Sequence, residues 1–180
     1  MVKQLGFIFD FNRCVGCKAC EMACHNENHT PPRVRWRRVT PLSPDTFLSL
    51  SCNHCENPEC FRVCPNRAYT KRRDGIVIIN SDSCDGCQKC IQACPYKAPQ
   101  YNPEIRKVSK CNLCLPRQEK GMIPACVQAC HTGALRLIEL NEGGHEEAVL
   151  SVEGFPDIRT THPSIRFIRF RPGKRYMLKD

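Results

Sequence analysis

The hydrophobic residues of this 180-residue chain occur in short runs. Two of these runs, "GFIFDFN" at 6–12 and "GIVIIN" at 75–80, start with glycine, continue with apolar or β-branched residues and end in polar turn residues. That pattern predicts two short strands. Another apolar run, "LRLIEL" at 135–140, is far shorter than the ~20 residues that a membrane-spanning helix needs. We therefore predict short elements and no transmembrane helix.

Helical periodicity is visible in "CEMACHNE" at 20–27 and in "CIQACPY" at 90–96. In each segment three residues separate two cysteines, and this spacing puts both cysteines on the same face of a helix. Two short helices are therefore predicted, each directly after a cysteine-rich loop.

Two further segments alternate apolar and basic residues, as a half-buried strand does. In "PPRVRWRRVTP" at 31–41, Val34 and Trp36 alternate with arginines, which predicts a strand with a solvated basic face or, alternatively, a contact with an acidic partner. In "TTHPSIRFIRFRPGKRY" at 160–176, the same pattern predicts either an edge strand that lies on a partner or an ordinary surface strand.

Cysteine is strongly enriched in the composition, with 16 residues, or about 9% of the chain. The hydrophobic fraction of 41% includes these cysteines, so only about 32% remains for aliphatic and aromatic packing. A core that lean is marginal for a chain of this length. We therefore expect bound metal to hold the fold together, and the metal-free protein to be largely unfolded.

The cysteines fall into four groups of four, with none left over. Groups one and three have the spacing C-x2-C-x2-C-x3-C, group two has C-x2-C-x4-C-x3-C and group four has C-x2-C-x11-C-x3-C. In chain order the groups are Cys14, Cys17, Cys20 and Cys24; Cys52, Cys55, Cys60 and Cys64; Cys84, Cys87, Cys90 and Cys94; and Cys111, Cys114, Cys126 and Cys130. An alanine four residues after the last cysteine of groups two, three and four extends the repeat.

Disulfides, zinc sites and iron–sulfur clusters all use cysteine at this density. The N-terminal segment shows no signal peptide and no twin-arginine pair, and tight groups of four suit metal-binding thiolates better than disulfides. Structural zinc sites usually join two C-x2-C pairs across a long gap. A third cysteine at the same short spacing is typical of iron–sulfur sites, so we predict iron. The alternative from another class is a zinc-bound, basic nucleic-acid-binding module.

The longer last step of group one has a geometric meaning. Its first three cysteines can wrap around one four-iron cluster, whereas Cys24 lies a helical turn further on and points elsewhere. In the bacterial C-x2-C-x2-C-x3-C-P run, the fourth cysteine ligates the other cluster of a pair. The intervals between groups do not decide which groups pair. Proline follows the last cysteine of groups two and three, and histidine that of groups one and four, which is a small indication that these are the pairs.

The stretches "RCVGCKACEMAC", "LSLSCNHCENPECFRVCP", "DGIVIINSDSCDGCQKCIQACPYKAPQYN" and "SKCNLCLPRQEKGMIPACVQAC" resemble the four-cluster, ferredoxin-type electron-transfer subunits of molybdopterin oxidoreductases. The resemblance covers roughly residues 5–138 and is nearest to the iron–sulfur subunit of dimethyl sulfoxide reductase, with polysulfide and thiosulfate reductase subunits close by. It implies four [4Fe–4S] clusters, because Cys87 stands where nitrate-reductase-type relatives have a tryptophan and a three-iron cluster.

The resemblance also implies which cysteines share a cluster. Cluster 1 is expected on Cys14, Cys17, Cys20 and Cys130; cluster 2 on Cys24, Cys111, Cys114 and Cys126; cluster 3 on Cys52, Cys55, Cys60 and Cys94; and cluster 4 on Cys64, Cys84, Cys87 and Cys90. The implied fold is α+β, with two pseudo-symmetric bacterial ferredoxin-like halves of small antiparallel sheets and short helices. Residues 1–33 and 105–138 form one half, 47–104 the other, 34–46 connect them, and 139–180 form a tail that is expected to contact a partner.

By the same resemblance, the chain relays electrons between a molybdopterin (or tungstopterin) catalytic subunit and an integral-membrane anchor that binds quinone, and it converts no substrate itself. Cluster 1 is expected beside the catalytic subunit and cluster 4 towards the anchor. The chain would be membrane-associated through these partners, on the extracytoplasmic face after export with the catalytic subunit. The alternative with the same clusters is a polyferredoxin subunit of a hydrogenase, a formate dehydrogenase or a tungsten aldehyde oxidoreductase.

No dinucleotide-binding glycine fingerprint and no G-x4-G-K phosphate loop is present, so we expect no flavin, nicotinamide, nucleotide or haem site. A four-iron cluster on four thiolates carries a charge of about −2 when oxidised, so four clusters would largely offset the net charge of +9. No nucleic-acid partner is therefore expected. Lys18, Lys89 and Lys110 are expected to offset cluster charge, and His54 to donate a hydrogen bond near a sulfur.

Overall fold

The computed structural model describes residues 4–143, 145 and 147–172. The strands among these residues are β1 (Leu5–Asp10), β2 (Arg38–Ser43), β3 (Thr46–Leu50), β4 (Tyr69–Lys71), β5 (Val77–Ile79), β6 (Gln100–Asn102), β7 (Lys107–Ser109), β8 (Leu135–Glu139) and β9 (Ile165–Ile168). The helices are α1 (Ala19–Asn28), α2 (Glu59–Arg62), α3 (Lys89–Ala93), α4 (Leu115–Gln118) and α5 (Ala125–Gln128). None of the helices in this described part is long and apolar enough to span a membrane.

The two predicted helices are confirmed as α1 and α3. Helix α1 ends at His29, which adopts a left-handed conformation with φ of 47° and donates its backbone N–H to the carbonyl of His25. Helix α3 is shorter than predicted and stops before Cys94, whose backbone is extended. Pro95 explains this end, because proline disfavours helical geometry in the residue before it.

The largest sheet has three strands in the order β8-β1-β9. Strand β1 is buried along its whole length and pairs antiparallel with β8 and parallel with β9. The other sheets are the antiparallel hairpins β2-β3, β4-β5 and β6-β7. Short helices and small, mostly antiparallel sheets agree with the expected α+β class, while the parallel pair β1-β9 was not predicted.

The strand predicted in the segment 160–176 is β9, and it lies on β1 of this same chain. Ile165 and Phe167 are 1% and 0% exposed, so the apolar side of the strand belongs to the core. The ring of Phe167 packs 4.9 Å from Phe155 and 6.0 Å from Phe11, measured between ring centroids. Residues 173–176 of the predicted segment lie outside the described residues.

The strand predicted over 31–41 is wrong in its first seven residues, because β2 begins only at Arg38. Residues 31–37 form turns, with the backbone N–H of Val34 donating to the carbonyl of Pro31. The predicted solvated basic face is also wrong at Arg37, whose side chain is fully buried. Val34 and Arg37 both point inward, three residues apart, which a strand with alternating faces does not allow.

Two helix pairs surround the cysteine groups. Helix α1 packs on α5, which brings the end of group one against the end of group four, and α2 packs on α3 in the same way for groups two and three. Around them, β1 pairs with β8, and β4 pairs with β5. The cysteines therefore lie between small sheets and short helices rather than on the surface of one large sheet.

Candidate iron–sulfur centres

All sixteen cysteines are free thiols, so the structure contains no disulfide. Nine of the sixteen are buried and five are partly buried. Only Cys17 and Cys87 are exposed, and these are the second cysteines of groups one and three. Cysteines that served only as small apolar core residues would not need to lie in groups of four. Their grouped burial is better explained by metal binding.

The cysteines expected for cluster 1 come together between the loop before α1 and the end of α5. Burial raises the pKa of the Cys14 thiol, a backbone hydrogen bond from Gly16 opposes this, and Cys20, Cys130 and Cys17 raise the pKa further. The three cysteines that raise the pKa of Cys14 are therefore the three that were expected to share its cluster.

The cysteines expected for cluster 2 also meet, although they come from groups one and four. Burial raises the pKa of Cys24 to about 12, with Cys126 and then Cys114 as the cysteines that add to the shift. Burial also raises the pKa of Cys111, and Cys24 and Cys126 are its strongest cysteine neighbours. Cys24 is thus grouped with group four, as the longer last step of group one suggested.

One cavity is lined by the four cysteines expected for cluster 3. Its walls contain Cys52, Cys55, Cys60 and Cys94, with Val77 and prolines among the remaining lining residues. Burial raises the pKa of Cys55 to about 12, and Cys52 and Cys94 are the neighbouring thiols that increase it. Four thiols that converge on one enclosed, largely apolar space are the donor set that a four-iron cluster requires.

The cysteines expected for cluster 4 lie around the loop before α3. Burial raises the pKa of Cys90, the Tyr69 hydroxyl opposes this, and Cys84 and Cys87 raise the pKa further. Cys64 packs in the same hydrophobic cluster as Cys90 and Cys84. This group has one exposed thiol, like the group expected for cluster 1.

The loops of groups one and three have the same backbone conformation. Gly16 and Gly86 have φ of 70° and 76°, and two residues later Lys18 and Gln88 both have φ of 60°. At Gly86, a Cβ would lie 2.1 Å from the carbonyl oxygen of Arg106, so this position requires glycine for space as well as for its conformation.

Backbone N–H groups donate to several of the sulfurs at 3.3 to 3.5 Å. The donor and acceptor pairs are His54 and Cys52, Ala68 and Cys64, Val108 and Cys84, Leu113 and Cys111, and Leu135 and Cys130. Hydrogen bonds to a sulfur stabilise the thiolate form, which is the form that binds metal.

Comparison with known proteins agrees with this chemistry. A 4Fe-4S dicluster domain matches residues 45–140, and a 4Fe-4S binding domain matches residues 11–27. A subunit of the anaerobic dimethyl sulfoxide reductase of Escherichia coli is 38% identical over 92% of this chain and 88% of its own length. A subunit of the polysulfide reductase of Wolinella succinogenes is 41% identical, over 79% of this chain and 80% of its own. The thiosulfate reductase electron transfer subunit PhsB of Salmonella typhi is 36% identical, over 79% of each sequence.

This protein belongs to the iron–sulfur electron-transfer subunits of these reductases. The family assignment favours the reductase interpretation over the hydrogenase, formate dehydrogenase and tungsten aldehyde oxidoreductase alternatives, and over a nucleic-acid-binding zinc module. It also agrees with the cysteine content, because such a subunit uses its thiols to hold 4Fe-4S clusters.

Three lysines, Lys18, Lys89 and Lys110, were expected to offset cluster charge. Only Lys110 is buried close to the thiols. Lys110 is 2% exposed and donates from Nζ to the carbonyls of Val77 and, at 3.1 Å, Cys111. Its charge acts to lower the pKa of Cys60 against the dominant effect of burial. Lys18 and Lys89 are exposed, so they resemble ordinary solvated lysines.

His54 is buried, and its ring is neutral. Burial, followed by Lys110 and Lys71, holds its pKa well below the usual value. Its Nδ1 accepts the backbone N–H of Val77 at 3.1 Å, and within the described chain its Nε2 has no partner. The hydrogen bond that His54 makes to a cysteine sulfur comes from its backbone N–H, which donates to Cys52 Sγ at 3.5 Å, and not from its ring.

Sequence patterns did not reveal Arg37, which lies in the interior of this iron–sulfur subunit. Its titratable neighbours are Cys126, Cys20, Cys111 and Cys24. The one signal in the sequence was the net charge of +9, because negative clusters favour positive residues nearby. The spacing of the arginines did not show which of them is buried.

Proposed function

We propose that this chain holds four [4Fe–4S] clusters on its sixteen cysteines, in the four sets named above as clusters 1 to 4. With them it relays electrons between a molybdopterin catalytic subunit and an integral-membrane, quinone-binding anchor. The complex would be a reductase of the dimethyl sulfoxide, polysulfide, thiosulfate or tetrathionate type, as in the relatives. When bound, the clusters supply one-electron storage, and the chain supplies thiolates and dry surroundings.

The observation that carries this proposal is the spatial arrangement of the four sets of thiols, in which each set packs with the next one. Thiols of sets 1 and 2 share one hydrophobic cluster, Cys111 of set 2 packs with Cys52 of set 3, and Cys60 of set 3 packs with Cys90 of set 4. The exposed cysteines belong to sets 1 and 4. A row with buried middle members and accessible ends suits a relay between two partners.

We also propose that the chain consists of two pseudo-symmetric ferredoxin-like halves, 1–33 with 105–138 and 47–104. The repeated loop conformation of groups one and three supports this. So do Arg67, Lys97 and Gly133, which all have positive φ and each follow the last cysteine of their group by three residues. Partner subunits would hold this chain at the membrane, on the extracytoplasmic face. We also propose that the segment 139–180 contacts a partner subunit. Ile165 and Phe167 are buried in the core of this chain, so the contact would use other side chains of the segment.

Iron analysis of the complex purified anaerobically, combined with one serine variant, tests the relay. We expect about sixteen or more irons per copy of this chain, together with molybdenum. Cys14→Ser should abolish reduction of substrate by quinol, while dyes that reduce the catalytic subunit directly still support activity. Leu42→Ser is the control, because it puts serine at a 52% exposed position outside the cysteine groups and outside the segment proposed to contact a partner, and it should leave both activities unchanged. Equal loss of both activities in an intact complex would count against the relay.

A further inference from the structure

Arg37 is an arginine in a place where arginine is rare. Its side chain is 1% exposed, and its Cζ lies 4.6 Å from the centroid of the Phe7 ring in the core. Nη1 donates to Ser49 Oγ at 3.1 Å, and Nη2 donates to Ser51 Oγ at 2.9 Å. Burying a charge costs several kcal/mol unless an opposite charge compensates it, so the position of Arg37 needs an explanation.

The hydrogen-bond partners of Arg37 do not supply that opposite charge, because they are the neutral side chains of Ser49 and Ser51 and the backbone carbonyl of Ser49. The carboxylate of Glu21 on α1 is already engaged, with Arg35 Nη1 at 2.6 Å and with the backbone N–H of Val39 at 3.1 Å. Ser49 Oγ lies 3.4 Å from Cys20 Sγ, and the Phe7 ring against which the guanidinium packs belongs to the same packed cluster as Cys20, Cys24 and Cys126. The groups near Arg37 that become negative when they bind metal are therefore these cysteines.

These cysteines belong to two different sets. Cys20 is a member of the set proposed for cluster 1, and Cys24, Cys111 and Cys126 are members of the set proposed for cluster 2. The guanidinium thus faces both sets at once. Its Nε has no hydrogen-bond partner among the described residues, so the N–H of that atom is available as a donor.

Ser49 connects Arg37 to one of these sulfurs. Its Oγ accepts a hydrogen bond from Arg37 and lies 3.4 Å from the Sγ of Cys20. Because the oxygen already accepts from a guanidinium and a thiolate cannot donate, the hydroxyl hydrogen is left to point at the Cys20 sulfur. Through Ser49, Arg37 therefore polarises a hydrogen bond to a ligand of cluster 1, and the backbone N–H of Arg37 also hydrogen-bonds to Cys24 of the set proposed for cluster 2.

We propose that Arg37 is the internal counter-charge of clusters 1 and 2, and that it raises the reduction potential of both. The proposal rests on the proposed function, since it presupposes these two clusters. Each cluster becomes more negative by one charge when it takes up an electron. A fixed positive charge in a dry interior favours that reduced form. Ser49 adds a second contribution at cluster 1 only, because a hydrogen bond to a ligand sulfur also favours the reduced state.

Redox titration of the anaerobically purified complex, followed by electron paramagnetic resonance, tests the proposal. The signals of clusters 1 and 2 are assigned by their loss in Cys14→Ser and Cys111→Ser. Arg37→Met should make reduction of both clusters at least tenfold less favourable, which for a one-electron couple is a drop of about 59 mV. Arg37→Lys keeps the charge and should recover most of the shift. Ser49→Ala should lower the potential of cluster 1 and leave that of cluster 2 unchanged.

Arg33→Met is the matched control, because Arg33 is exposed in the same segment and its loss changes the net charge equally. Its potentials should stay those of the unaltered complex. Unchanged potentials in Arg37→Met overturn the proposal. If Arg37→Met does not assemble, Ser49→Ala decides, and an unshifted cluster 1 then overturns it. Absence of iron or of the two signals from the unaltered complex refutes the proposed function instead, so the two failures are distinguishable.

Discussion

Truncation of Phe167 to alanine tests whether β9 is a structural strand of the β8-β1-β9 sheet. Phe167 is 0% exposed, packs against Phe11 and Phe155, and pairs with Phe9 of β1. Replacing a fully buried phenylalanine by alanine costs about 3–5 kcal/mol. If about half of the lower value appears in the unfolding barrier, that barrier falls by about 1.5 kcal/mol. The unfolding rate then rises roughly tenfold.

The assay follows cluster loss, because loss of the clusters makes unfolding irreversible and the observable is a rate. The anaerobic holoprotein in its complex is placed in a fixed guanidinium concentration, and the visible iron–sulfur absorbance is recorded with time. Phe170→Ala is the control, since the same truncation at a 38% exposed side chain should change the rate by less than about threefold. Equal rates for Phe167→Ala and the unaltered protein would refute the reasoning. Segment 160–176 would then be better described as an ordinary surface strand.

Two further predictions concern the loops and the metal. Gly86→Ala should cost about four irons per chain, because the new Cβ collides with the Arg106 carbonyl in the loop proposed for cluster 4. Gly121→Ala has the same conformational strain with nothing within 4 Å, and should keep its iron; equal iron contents would contradict this explanation. Anaerobic chelation of the clusters should abolish most of the circular dichroism signal, since nine buried thiols then face one another without metal, and a cooperative melt of cluster-free protein would argue the opposite.

Local features of this chain could be predicted, because they depend on spacing within a few residues. Strand β1, helix α1 and the four cysteine groups all follow from short-range patterns. The parallel pairing of β9 with β1 could not be predicted in this way. Alternation in 160–176 indicates that one side of the strand is apolar, but it contains no information on which strand, 155 or more residues away, covers that side.

The interior position of Arg37 could not be predicted either, and for a different reason. Sequence patterns assign charged residues to the solvated side because burial of an isolated charge is costly. Buried cysteines that bind metal as thiolates would invert that rule locally, since they make the interior negative. The cluster sets came from a family resemblance rather than from spacing, because only the fold brings Cys24 to Cys126 and Cys111.

The β8-β1-β9 sheet has a consequence for the time course of biosynthesis. About 140 residues separate Cys24 from β9, and at roughly 5–20 residues per second a ribosome needs about 7–28 s to translate them. During that interval the group one thiols lack the strands that later bury β1. Hairpins β4-β5 and β6-β7 have been translated by residue 109, so the centre around group three can be loaded while the nascent chain is still growing. The group two loop also waits for residues 161–164, which hydrogen-bond to the backbone of Asn53, Glu56 and Asn57. Iron–sulfur insertion into this protein is thus expected to start at group three, in the middle of the chain.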